Sequence, residues 1–411
     1  MPLQLAHRAL YASFDRFPSA KGAATHIARM ASTLFDVADG GALYVLGDED
    51  LPLYQREGSV EIVRYAGTEP NFLERALGFG DRLEALLDRH GDALELCHVR
   101  DPWSGIPVIG RPHRYATVYE VNGLPSIELP YRYPHLSSAT LAKIRAAEEF
   151  CWRHADVLIT PSATIAENLA RLGADPEKIT VIPNGADIPG VLPRSPEDAP
   201  ERYLIYFGAL QRWQGVDLLL RAFARLADLA DLHLVICAST NQRSSKMLRK
   251  LAERLGIAER VIWHHALGKD ELASWLAGAL LSVAPLTECS RNVEQGCAPL
   301  KVLESMAFGV PVVAADLPAV REIMTDGVEG RLVRPDRPAD LARAIRVLLE
   351  YPEQIASMGE RARRRIARDF TWQRSIDLLA ARYRAILDVR GDIFAASPDA
   401  LSDRTERKQS S

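Results

Sequence analysis

The stretch PLKVLESMAFGVPVVAAD, residues 299–316, sets the reading of the whole chain. Leu300, Leu303 and Ala307 recur at the spacing of a helix face turned to a core. Gly309 is placed to end that helix, and Val310, Val312 and Val313 then read as a buried strand. Glu304 interrupts the apolar pattern. A carboxylate in such a setting costs free energy unless something pairs with it, which makes it a candidate binding group. The alternative is a surface pair with Lys301, three residues earlier on the same helix face.

The helix-to-strand unit is repeated outward in both directions. In the first half, strand-like runs at 7–14, 41–47, 59–65, 93–100, 114–121, 156–162 and 179–185 are interleaved with helical patterns. Those patterns cover 22–35, 136–155 (with Ser138 as a cap) and 163–173. A proline-rich stretch around 185–203 reads as a linker. The alternation then restarts with strands at 203–210, 232–238, 260–266 and 280–286, and helices between them. Alternation of this kind builds parallel sheets flanked by helices. The expected fold is α/β, with two Rossmann-like domains facing a cleft. Residues 1–190 form the first domain, 191–200 the linker and 201–370 the second domain, with a helix over 371–394 and a polar, disordered tail over 395–411. In such sheets ligands bind beyond the carboxyl ends of the strands.

Composition narrows the function. The 411 residues hold no apolar run near the roughly 18–20 residues of a membrane span. The five cysteines are scattered without metal-ligand spacing, which fits free thiols in a reducing, cytoplasmic setting. The first half is acidic, and neither half carries the basic, aromatic-interleaved stripe of a nucleic-acid binder. The Asp-x-Asp spacing in GDED, residues 47–50, is read as a solvated turn and not a metal site.

PLKVLESMAFGVPVVAAD, VLITPSATIAENLARLGADPEKITVIPNGAD (157–187), YFGALQRWQGVDLLLRAF (206–223) and PSAKGAATHI (18–27) together resemble glycosyltransferase family four, retaining enzymes with the GT-B fold. The resemblance runs from about residue 9 to 388. It implies transfer of a sugar from a nucleotide diphosphate-sugar to an acceptor hydroxyl, with no metal and no further cofactor. It also implies that the last helix crosses back onto the first domain. Glu304 is similar to the family's ribose-binding glutamate, and its two acceptor oxygens suit a vicinal diol. The N–H groups of Gly296, Cys297, Ala298 and Leu300 lie at the start of the same helix, where its dipole favours donor oxygens.

Two departures stand out. The family's second glutamate, eight residues before the first, is Gly296 here; Glu294 is the nearest carboxylate, and either it or backbone groups hold the sugar. The Arg and Lys of the family's phosphate loop are replaced by Ala209 and Gln214, beyond Gly208. Arg212 and Lys301 are therefore the expected cations for the diphosphate, with Arg291 a weaker candidate, since compensating charge on the leaving group is usually the largest catalytic contribution. Trp213 is expected to pack the loop.

In the first half Gly22 allows close backbone approach to the donor, with Lys21 nearby and His26 read as packing. Glu120 is expected to take the place of a family histidine beside the acceptor hydroxyl. His98, Arg100, Asp101 and Asn122 complete the acceptor side. The expected protein is a cytoplasmic hexosyl- or related glycosyltransferase of envelope or exopolysaccharide synthesis, with a saccharide or lipid-linked saccharide acceptor and loose contact with the inner membrane face. The alternatives are a GT-B sugar-nucleotide epimerase and a catalytically silent partner of a glycosyltransferase complex.

Overall fold

The computed structural model describes residues 8–19 and 22–396. Lys21 and residues 397–411 of the expected tail lie outside the described residues. The chain forms two α/β halves. The first is an eight-stranded sheet of β1 (Ala9–Arg16), β2 (Gly41–Leu46), β3 (Tyr54–Glu57), β4 (Val60–Tyr65), β5 (Leu96–Val99), β6 (Ala116–Glu120), β7 (Val157–Thr160) and β8 (Ile179–Val181). Its order is β3-β4-β2-β1-β5-β6-β7-β8, and only β3 runs antiparallel to its neighbour. The second sheet contains β9 (Arg202–Gly208), β10 (Leu232–Ala238), β11 (Val261–His265), β12 (Leu281–Ala284), β13 (Val312–Ala315) and β14 (Gly330–Val333), in the order β11-β10-β9-β12-β13-β14.

Strand sequences follow from burial on both faces. Along β1, Leu10 and Ala12 join one core cluster, while Ala9 and Tyr11 join the cluster on the other face. A doubly buried strand has no solvent face, so its sequence is continuously apolar rather than alternating. The helices Phe72–His90, Pro102–Ile109 and Ser138–His154 cover one face of the first sheet. Helix Gly22–Ala38 covers the other, packed against the final helix Trp372–Ala396 through Trp372, Leu379 and Tyr383.

Several elements differ from the sequence reading. Helix Pro102–Ile109 was hidden by Gly105 and Pro107; Pro102 sits in its first turn, where a missing N–H costs little. Helix Pro125–Arg132 occupies what reads as a loop after β6. The cap of helix Ser138–His154 is Ser137, whose hydroxyl accepts from the Thr140 N–H at 3.1 Å. Glu148 of that helix is fully buried and accepts from the N–H (2.7 Å) and hydroxyl (2.6 Å) of Ser126, anchoring helix Pro125–Arg132.

The crossing between halves lies a few residues before the expected linker. Ile188 and Ala199 already pack on the second domain. At Gly185–Ala186 the outgoing chain meets the returning one: Ala186 N–H donates to the Phe370 carbonyl at 2.9 Å. A Cβ on Gly185 would stand 2.3 Å from the Trp372 nitrogen, so only glycine lets the two crossings pass this closely.

Candidate active site

The second-domain wall of the cleft is built where β9 and β12 end and helix Leu300–Ala307 begins. Gly208 closes β9 at φ 118°, a left-handed value that favours glycine. The Lys301 side chain lies beside it; a Cβ there would be 3.6 Å from the Lys301 Nζ. The ammonium donates to the Tyr206 hydroxyl at 3.1 Å and to the Gln214 side-chain oxygen, and stands 4.2 Å from the Tyr206 ring centroid. Burial pulls its pKa down to about 7, against the opposing effect of Glu304. Lys301 therefore reaches into the loop that lacks the family's own cations, and Gln214, standing in the lysine position, is its partner.

Glu304 is half-buried one turn further along. Burial raises its pKa, opposed by Lys269 and Lys301. Among the described residues nothing hydrogen-bonds to its carboxylate, and Lys301 is turned elsewhere. The two side chains do not form the simple surface pair. Among the described residues the N–H groups of Gly296, Cys297 and Ala298 also have no protein acceptor.

The missing second glutamate has a steric reason. Gly296 has φ 92°, and a Cβ there would lie 2.9 Å from the Ile165 side chain of the first domain. No side chain fits that backbone position. Glu294 is exposed and accepts from Ser290 of its own turn at 2.9 Å, so the structure does not turn it inward. Its neighbour Gln295 is the buried one: it accepts from the Leu124 N–H at 2.8 Å and donates to Glu128 at 2.9 Å. Arg291 reaches the same Glu128 oxygen at 3.2 Å and covers the Trp213 ring. These contacts join the domains. Arg212 is exposed and lines a cavity of about 430 Å³ together with Trp213 and Tyr131, apart from the Lys301 cluster.

On the first-domain side Glu120 is the centre of a buried network. Its carboxylate accepts from the Tyr11 hydroxyl (3.0 Å), pairs with His26 (2.5 Å) and His98 (2.9 Å), lies 3.3 Å from Arg100, and accepts from Asn122. Burial alone would raise its pKa, but His26, His98 and Arg100 outweigh this and hold it well below the usual range. Burial lowers the pKa of His98, so the neutral ring donates to Glu120 and accepts from the Tyr383 hydroxyl at 2.5 Å.

These facts correct the acceptor-side expectations. Glu120 is 1% exposed and its oxygens are already engaged, so it does not face an acceptor hydroxyl. His98 is fully buried, and Arg100 is tied to Asp15 at 2.6 Å. Asp101 caps helix Pro102–Ile109 through the Ser104 N–H at 2.8 Å and also accepts from Phe14 N–H; burial, partly offset by these bonds, raises it to about 6. His26 is more than packing: its other ring nitrogen lies 2.8 Å from Asn184, whose amide points to the Ala298 carbonyl at 3.4 Å. No sequence signal marks this link, since it joins residues far apart in the chain. Gly22 lies against helix Leu300–Ala307, with a Cβ there 3.0 Å from the Leu300 side chain. Among the described residues no three His, Cys, Asp or Glu side chains cluster as metal ligands, and no helix is long and apolar enough to cross a membrane.

Two Rossmann-like domains meet at a cleft whose second-domain wall carries a cation-bearing turn and an unpaired carboxylate, at the edge where ligands of such sheets bind. Residues 192–365 match the family described as glycosyl transferases group 1, and residues 20–188 match glycosyltransferase family 4. The chain belongs to this family. It is 32% identical to the D-inositol 3-phosphate glycosyltransferase of Geodermatophilus obscurus over 74% of this chain, a match spanning 65% of that relative's length. Among solved structures it superposes on sucrose-phosphate synthase from Thermosynechococcus elongatus with a TM-score of 0.75, at 18% identity, covering 95% of this chain and 100% of that one. Anabaena HepE in complex with UDP and glucose gives a TM-score of 0.70 at 18% identity, covering 92% and 100%. The fold is GT-B.

Proposed function

We propose that this chain is a retaining glycosyltransferase that moves a sugar from a nucleotide diphosphate-sugar to an acceptor hydroxyl. The observation that carries this reading is the pair Lys301 and Glu304, one turn apart at the cleft: a cation beside Gly208 and a carboxylate with no protein donor among the described residues. Glu304 accepts from the ribose diol, and Lys301 neutralises the diphosphate, assisted by Arg212 once the loop is engaged. The free N–H groups at 296–298 meet donor sugar hydroxyls. Family membership and the UDP and glucose held by HepE support this assignment.

The first-domain network offers no nucleophile, because Glu120 is enclosed. Attack from the face of the leaving group fits this arrangement. The bond from the sugar's anomeric carbon to the diphosphate oxygen breaks, the bond to the acceptor oxygen forms, and the acceptor proton passes to the departing diphosphate. The charge carried by Lys301 replaces a metal in this scheme. The reading extends, on the family resemblance, to a hexosyl-type donor and a saccharide or lipid-linked acceptor in envelope or exopolysaccharide assembly, at the inner membrane face.

The test is a thermal-shift screen of nucleotide sugars followed by measurement of nucleoside diphosphate release. A donor that binds the native state raises the melting temperature. Release that depends on an acceptor supports transfer. Isomerised donor without release would indicate an epimerase, and failure of every donor to bind would indicate a silent partner; either overturns the proposal.

A further inference from the structure

Two hollows adjoin on the rim of the second domain. One, of about 430 Å³, has Trp213 and Tyr131 in its wall, their rings edge to face at 5.4 Å. The other, of about 620 Å³, lies where the segments 221–225 and 334–337 converge, and four arginines line it. Asp336 lines both, so the two hollows are neighbours separated by that residue. The aromatic hollow is lined by the loops that follow β9 and β12, beside the edge at which ligands of such sheets bind, and the arginine hollow runs from the loop after β14 back along the helix Val216–Phe223.

The charges are cancelled only in part, Arg337 also acting on the Asp340 carboxylate from beyond ion-pair distance. Arg334 is paired with Asp340 at 2.7 Å, and Asp336 accepts from the Glu288 N–H at 3.1 Å. Among the described residues no carboxylate pairs with Arg221, Arg225 or Arg337. Arg221 and Arg225 are one helical turn apart and exposed, and Arg337 is exposed across from them. Three guanidinium forks around one hollow suit phosphate or carboxylate oxygens, which they can grip in a bidentate manner. In the adjoining hollow, aromatic walls suit the apolar C–H face of a sugar ring, while neighbouring carboxylates accept its hydroxyls.

We propose that the two hollows form one track for an anionic saccharide chain. Sugar rings lie along Trp213 and Tyr131, and an acidic group further out is held by Arg221, Arg225 and Arg337. This deepens the reading above, because it gives the acceptor chain a place now that His98 and Glu120 are enclosed in the first domain. Tyr131 comes from the first domain and Trp213 from the second, so the track narrows or widens with the cleft.

The full chain is titrated with hexagalacturonate and with neutral maltohexaose, followed by tryptophan fluorescence and calorimetry at low and high salt. The acidic oligomer is expected to bind at least about tenfold tighter at low salt, a preference that salt erodes. Arg221→Glu with Arg337→Glu removes the preference, whereas Trp213→Ala weakens both oligomers. Melting temperature checks that the exposed charge reversals leave the fold intact. Equal binding of the two oligomers, no binding of either, or a preference untouched by charge reversal overturns the track. Binding of UDP, GDP and ADP to the same variants separates this from the donor reading. Oligomer binding without nucleotide binding leaves the track standing and removes the transferase, and nucleotide binding without oligomer binding does the reverse.

Discussion

Glu120 and Glu304 sit in opposite domains and have opposite surroundings. Glu120 is enclosed by Tyr11, His26, His98, Arg100 and Asn122, and its pKa is held well below the usual range. Glu304 has no protein donor among the described residues, and burial raises its pKa. A carboxylate whose acceptor sites are filled belongs to the framework. One left wanting donors has acceptor sites open to a ligand's hydroxyls. Both residues look alike in a sequence, each an acid in an apolar setting, and only the count of donors separates them.

The largest expected effect breaks the first member of the comparison. Glu120→Ala removes the acceptor that two histidines and an arginine share, and should cost about 3–5 kcal/mol of stability in urea unfolding, as for other broken buried pairs. If Glu120→Ala unfolds at the wild-type midpoint, the network is not the framework described. Glu304→Gln should do the reverse: the urea midpoint stays, while donor affinity falls about tenfold because a charge-assisted bond becomes neutral. Calorimetry with the donor found by thermal shift decides it, and unchanged affinity would return Glu304 to a helix-surface role.

Lys301 sharpens the contrast through pH. Its pKa is lowered from 10.5 to about 7, so the free protein loses this cation as pH rises past 7. Diphosphate binding favours the protonated form, so donor affinity should fall as pH rises above 7, approaching about tenfold per unit. Between pH 7 and 10.5 the unfolded chain holds more protons at this site, so the same residue makes the unliganded protein more stable as pH rises there. Lys301→Met should weaken binding at pH 6 and flatten both slopes. A slope that survives in the variant assigns the titration elsewhere. The smallest effect is Tyr383→Phe, which deletes the hydroxyl donated to His98 and should cost about 1 kcal/mol while leaving donor affinity unchanged.

The fold was largely legible because doubly buried strands give long apolar runs that periodicity finds, as in 203–208 and 232–238. Helix Pro102–Ile109 was not, since its internal proline and glycine argue against a helix that tertiary packing nonetheless holds. At the site, Glu304 and Lys301 could be singled out because both sit in one short apolar helix. The tie from His26 through Asn184 to the Ala298 carbonyl could not, because it joins three distant segments by side-chain geometry alone. Gly296 was visible as a departure, but its reason, the Ile165 side chain of the other domain, exists only in the assembled cleft.

Glu322 of the second domain lies at the start of the first-domain helix Ala163–Arg171. Its carboxylate accepts the N–H groups of Ala163 (2.8 Å) and Thr164 (2.7 Å), and Ser162 supplies the helix's own cap at Ile165. Both hydrogen bonds reach across from the second domain and are lost when the two halves separate. Hydrogen–deuterium exchange at 163 and 164 thus becomes a clock for cleft opening: each deuterium taken up there records an excursion of one domain away from the other. The same two amides, followed with and without donor, report how far the donor holds the hinge closed, with no attached probe and no turnover.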